Sequence, residues 1–141
     1  MQIGVDSQCA VENKRLFVLD DNEINSMALQ FMLADENETH ILQNLEAALH
    51  KAIQWQPDLV LLGLGYLTSN PAEVITRIKT GMNNVKVLLV CDNAEQAGVK
   101  AALSAGANGI LMTPLTIESA RRRVNTALGR VAPLGIPVVP I

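Results

Sequence analysis

Five short apolar runs, separated by stretches of helical period, constrain this chain more than any other feature. The runs are Leu16-Phe17-Val18-Leu19, His40-Ile41-Leu42-Gln43, Asp58-Leu59-Val60-Leu61-Leu62, Val85-Lys86-Val87-Leu88-Leu89-Val90 and Gly109-Ile110-Leu111-Met112. Four of them are too continuous for half-exposed antiparallel strands and read as parallel strands covered on both faces. Between them, Ile24, Met27, Ala28 and Phe31 recur at helical spacing after Asp21 or Asn22 as a cap. Leu45 to Gln54 puts Leu45, Ala48, Leu49, Ala52 and Ile53 on one face. Pro71 suits the first turn of a helix carrying Val74, Ile75 and Ile78, with Ser69 or Asn70 before it and Gly81 after it. Asn93 can cap a helix through Val99, Ala102 and Leu103, stopped by Gly106. Thr116 can cap the last, which carries Ile117, Ala120, Val124 and Leu128 and stops at Gly129. Five strands and five helices in strict alternation specify an α/β fold: a parallel sheet with helices on both faces.

Length and charge narrow the function classes. The chain has 141 residues, 49% of them hydrophobic, which suits one domain with a real core. Residues 15–129 hold the alternating pattern. Residues 1–14 read as a polar lead-in, and 130–141, with three prolines, as an apolar tail or linker. A net charge of −3 disfavours direct nucleic-acid binding, which needs a dominant basic face. No apolar run approaches the roughly 20 residues of a membrane span. The first residues lack the basic and then apolar regions of a secretory signal, so a cytoplasmic location is expected. Cys9 and Cys91 show no metal-ligand or redox-motif spacing.

In an open parallel sheet, ligands bind beyond the carboxyl ends of the strands. Strand 1 delivers Asp20 and Asp21 to that edge, strand 3 delivers Gly63, Leu64 and Gly65, strand 4 delivers Cys91 and Asp92, and strand 5 delivers Thr113 and Pro114. Adjacent carboxylates at a strand end favour a hard cation such as Mg²⁺. The competing reading has Asp21 cap the first helix while Asp20 is merely solvated.

These residues carry a resemblance. Leu16-Phe17-Val18-Leu19-Asp20-Asp21-Asn22, Gln56-Pro57-Asp58-Leu59-Val60-Leu61-Leu62, Ala105-Gly106-Ala107-Asn108-Gly109-Ile110-Leu111 and Pro114 keep the order and spacing of their counterparts in receiver domains of two-component response regulators. The chain resembles that family over about residues 15 to 129. The resemblance implies a flavodoxin-like doubly wound (βα)5 fold with strand order 2-1-3-4-5. It also implies a phosphoryl-accepting aspartate at the end of strand 3, two acids holding Mg²⁺ and a lysine after strand 5, with a hydroxyl after strand 4 and an aromatic on strand 5 as the switch pair. Only the acid pair is kept. Gly63 stands at the nucleophile position, Cys91 at the hydroxyl, Thr113 at the lysine and Ile110 at the aromatic. Asp58 cannot substitute, since five residues of strand put it roughly 16 Å from Gly63, at the opposite edge of the sheet. Asp92 is nearer but is expected to face water or to serve the turn before the fourth helix.

The expectation is therefore a pseudo-receiver: a non-enzymatic signalling module that requires no cofactor and acts by protein–protein contact. Mg²⁺ binding through Asp20, Asp21 and the Gly65 carbonyl should be weak. Expected partners are a protein or a fused output domain, or a second copy through the face formed by helix 4, strand 5 and helix 5. Two alternatives remain: an unconventional phosphoacceptor among Asp20, Asp21 and Asp92, or a small-molecule site near Tyr66 and Cys91. Cys91 reads as a packing residue whose pKa the Asp20 and Asp21 charges raise. Tyr66 could fill the space above Gly63, and Trp55 could close the bottom of the core. Arg121-Arg122-Arg123 reads as a solvated helix face, and His40 and His50 have no evident partners in the sequence.

Overall fold

The computed structural model describes residues 14–67 and 70–130. Its elements are β1 (Lys14–Leu19), α1 (Glu23–Leu33), β2 (Asn37–Ile41), α2 (Leu45–Ala52), β3 (Leu59–Gly63), α3 (Pro71–Gly81), β4 (Lys86–Cys91), α4 (Val99–Ser104), β5 (Gly109–Met112) and α5 (Ile117–Ala127). A 3-10 turn, Leu64–Tyr66, follows β3. The strands form one sheet in the order β2-β1-β3-β4-β5, and every pairing is parallel. The expected (βα)5 fold and strand order are thus observed. The two tails read from the sequence, apart from Lys14 and Arg130, lie outside the described residues.

Alternation along the strands divides the core in two. Phe17, Leu19, Val60, Leu62, Val87 and Leu89 face Ile75, Ile78 and Ala102 on one side of the sheet. Leu16, Val18, Leu61, Leu88 and Val90 face Leu29, Leu33, Ala120 and Val124 on the other. Every residue of β3 is buried, as a central strand covered on both faces must be.

Several local expectations change. In α1 the buried residues are Ser26, Leu29 and Leu33, whereas Ile24, Met27 and Phe31 are exposed. The helix carries two apolar stripes, and period alone does not choose between them. The Ser26 hydroxyl decides the phase by donating to the Asp20 carbonyl, 2.9 Å away. Strand β2 begins at Asn37, earlier than expected, because this edge strand is largely polar. Helix α2 stops at Ala52, leaving Ile53 79% exposed. Helix α4 starts only at Val99, with Gly98 at φ +90° before it. Asn93 instead bonds the Glu95 N–H in the preceding turn. Asn70 and Thr116 do cap α3 and α5.

Candidate functional site

The carboxyl ends of β1 and β3 meet where Asp20 follows Leu19 and β3 closes at Gly63. Asp20 is only 8% exposed. One of its oxygens accepts the Asn22 N–H at 2.9 Å and the other the Asn25 amide at 3.3 Å. A Cβ placed on Gly63 would lie 2.6 Å from both the Cγ and Oδ1 of Asp20. The Asp20 carboxyl therefore fills the volume into which a side chain at position 63 would project. Asp21 lies in the same way against Gly65, although its own side chain is exposed. Burial raises the Asp20 pKa above its usual value, and the nearby Asp21 charge adds to this; the Asn22 and Asn25 donors oppose it.

The remaining residues of this edge do not converge on one point. Cys91 is buried at the end of β4, and burial first, then the Asp92 charge, raises its pKa. The Asp20 and Asp21 charges do not account for the shift, contrary to expectation. Asp92 is exposed; its Oδ1 accepts the Thr113 hydroxyl at 2.7 Å, while its N–H donates to the Gln96 side chain. It serves the turn, as expected, and Thr113 is bonded to it. The Thr113–Pro114 peptide is cis. Ile110 is half-buried on β5 against the β4 side chains. Tyr66 does not cover Gly63, because its hydroxyl donates to the Gln43 carbonyl at 2.7 Å. Burial, with Asp21 and Asp20 behind it, pushes the phenol up. Tyr66 borders a shallow cleft of about 340 Å³ with Asn44, Glu46 and Arg77, in which Cys91 has no part.

Three features lie away from this edge: Asp58 sits at the opposite edge, as expected, while Trp55 and Arg121 differ from expectation. Asp58 precedes β3 and accepts the Arg15 N–H at 2.8 Å. Trp55 does not close the core: it is 47% exposed, with the Arg15 guanidinium 5.1 Å from its ring centre. Arg121 is tied down, its Nε donating to the Met32 carbonyl at 3.0 Å. Sequence reasoning missed Asn25, the amide that holds the second Asp20 oxygen. Its signal was available: an amide in the first turn of a helix, five residues after a strand-end acid, can reach back to that acid.

A family model described as "Response regulator receiver domain" matches residues 16–125. The chain belongs to the receiver domain family. Among curated proteins, this receiver is 27% identical over 115 residues to the transcriptional regulatory protein LnrK of Bacillus subtilis (strain 168). That match covers 79% of the chain and 52% of LnrK, so the chain spans about half the length of this relative. A response regulator from Thermotoga maritima superposes with a TM-score of 0.74 at 19% identity, covering 83% of this chain and 98% of that one. The receiver domain of sensor histidine kinase PA1611 from Pseudomonas aeruginosa PAO1, which has a magnesium ion coordinated in its active site cleft, gives 0.70 at 19% identity. It covers 83% of this chain and 98% of that one. At such identities the likeness shows the shared receiver fold. No helix among the described residues is long and apolar enough to cross a membrane.

Proposed function

We propose that this receiver domain signals by protein–protein contact in a two-component pathway without accepting a phosphoryl group at the end of β3. The observation that carries the reading is the Asp20 carboxyl seated over Gly63, with neutral donors on both of its oxygens. Gly63 offers no nucleophile, and the room for one is filled. Thr113 supplies no cation to clamp a transferring phosphoryl group, and its hydroxyl is engaged with Asp92.

The Mg²⁺ that the family implies fits this site poorly. A hard divalent ion wants about six oxygen ligands. Here Asp20 is turned onto backbone and amide donors, and Asp21, the other acid of the pair, lies against Gly65. Among the described residues, no group of three His, Cys, Asp or Glu side chains is placed to hold a metal ion. On this reading the domain requires no cofactor, turns over no substrate and works in the cytoplasm. The likeness to LnrK supports an output domain or protein partner in transcriptional control, with no direct nucleic-acid contact by this domain. Leu103 on α4 and Met112 on β5, 38% and 44% exposed, favour the α4–β5–α5 face for pairing.

The test is intact mass after prolonged exposure to Mg²⁺ and a small-molecule phosphodonor, paired with an amide NMR titration with beryllofluoride. Unchanged mass and unchanged spectra are expected. A gain of one phosphoryl group would overturn the reading and turn attention to Asp21 and Asp92, the exposed acids of this edge.

A further inference from the structure

At the amino edge of the sheet, opposite Asp20 and Gly63, a lysine amine is held without a counter-charge. Lys79 lies in the last turn of α3 and is half-buried. Its stem passes Gly106, where a Cβ would stand 3.9 Å from Lys79 Cε. Its Nζ donates to the Val85 carbonyl at 2.8 Å and to Asn108 Oδ1 at 2.7 Å. Asn108 is itself fixed: its Oδ1 also accepts the Val87 N–H at 2.8 Å, and its own N–H donates to the Val87 carbonyl at 2.8 Å. Both acceptors of the amine are neutral. Among the described residues Arg15, Arg77 and Arg121 are each paired with a carboxylate, and Lys79 is not.

This setting suits the uncharged amine. An ammonium group has three N–H donors. The neutral amine has one fewer, and two acceptors are what the site provides. Its lone pair is then left free. Burial, with the Lys86 charge behind it, pushes the Lys79 pKa below its usual value. Asn108 is exposed, so the amine sits where a small reagent can reach it. A lysine that is partly desolvated and close to another cation is a ready nucleophile. Thioesters are the activated carbonyls that react with amines in preference to water or hydroxyls, which makes them the matching electrophile.

We propose that Lys79 is an acyl-acceptor site, its ε-amine taking the acyl group of a small acyl thioester. The Nζ lone pair attacks the carbonyl carbon, and a C–N bond forms as the C–S bond breaks. The thiolate leaves with the bonding electrons and receives, through water, the proton that the nitrogen sheds. The product amide keeps one N–H, so Val85 and Asn108 lose one donor between them and the amino edge loses one positive charge. Asn108 directly precedes β5, so acylation loosens the tie between α3 and the entry to that strand. The site lies at the opposite edge from Asp20 and stands whether or not the end of β3 accepts a phosphoryl group.

The experiment exposes the whole chain briefly to a small acetyl thioester and measures acetyl occupancy at each lysine by peptide mass spectrometry. Lys86 and Lys100 are exposed and serve as internal references. Lys79 is expected to label at least about 5-fold faster than either, because the supply of neutral amine sets the rate of attack. Asn108→Asp is the informative variant. It keeps the Oδ1 acceptor for the Val87 N–H but gives Lys79 the carboxylate partner it lacks, which holds the amine as ammonium. Labelling of Lys79 should then fall about 5-fold while that of Lys100 is unchanged. Equal labelling of Lys79 and the two references in the unaltered chain would overturn the proposal. Undiminished labelling of Lys79 in Asn108→Asp would do the same, since the amine's setting would then play no part.

Discussion

The two edges of the sheet treat their carboxylates in opposite ways. At the carboxyl edge Asp20 is held by a backbone N–H and an amide, and Asp92 by a hydroxyl. At the amino edge Glu38 takes Arg15 Nε at 2.7 Å and lies 2.7 Å from His40 Nε2, while Lys79 bonds the Val85 carbonyl and Asn108. The pKa shifts follow suit. Burial pushes Asp20 up, whereas its Arg15 and His40 partners pull Glu38 down to about 2. One edge is an electrostatic clamp. At the other, where this fold ordinarily places its chemistry, the acid acts as a brace between β1, α1 and β3.

The brace reading is broken most directly at Gly63. Gly63→Asp puts a Cβ 2.6 Å from the Asp20 carboxyl and brings a second carboxyl group into the same crowded space. Overpacking and like-charge repulsion together should cost about 3 kcal/mol of unfolding free energy in denaturant titration. Gly63→Ala isolates the steric part and should cost about 1–2 kcal/mol. The same change at Gly65 crowds Asp21 even more closely, yet should cost less than about 0.5 kcal/mol, because that exposed side chain can swing into water. Equal losses at the two glycines would mean that Asp20 is not anchored.

Much of this contrast was legible in the sequence, and some was not. Strand count, order and site edge follow from the alternation of apolar runs, because central parallel strands such as β3 must be apolar on both faces. That Gly63, Cys91 and Thr113 come to this edge is visible once the acid pair fixes the register. The phase of α1 was not legible. Two apolar stripes compete there, and the choice rests on the Ser26–Asp20 hydrogen bond, a contact with no periodic signature. Trp55 misled for a related reason: a lone aromatic reads as core, but the Arg15 side chain offers it a cover at the surface. Nor could spacing show that Asp20 fills the space above Gly63, since that depends on how closely β1 and β3 pack.

The amino-edge clamp should show itself in acid. Glu38 has its folded pKa depressed to about 2 from 4.5, so its stabilisation is fully present above pH 4.5. It is lost as pH falls through about 2. Glu38→Gln should remove about 1 kcal/mol at neutral pH, a figure held down by solvent screening of a side chain 34% exposed. The two proteins should converge in stability below pH 2. A gap that persists there would assign the loss to packing against Arg15 and His40 rather than to charge.

Asp20→Asn tests the opposite sign. A carboxyl whose folded pKa is raised binds its proton more tightly in the folded state. Its contribution is therefore most favourable below the ordinary value of 3.8 and declines as pH rises through the folded value. At pH 7 the buried charge is a net cost. The amide keeps an acceptor for the Asn22 N–H and sheds that charge, so Tm should rise by roughly 2–4 °C at pH 7. The gain should fade in acid, where both side chains are neutral. Measured with Mg²⁺ and again with a chelator, the same pair of proteins separates brace from metal ligand. A brace gives the same gain in both buffers. A ligand makes the unaltered domain the more stable one in Mg²⁺, and that reversal would restore to Asp20 the role its position in the family implies.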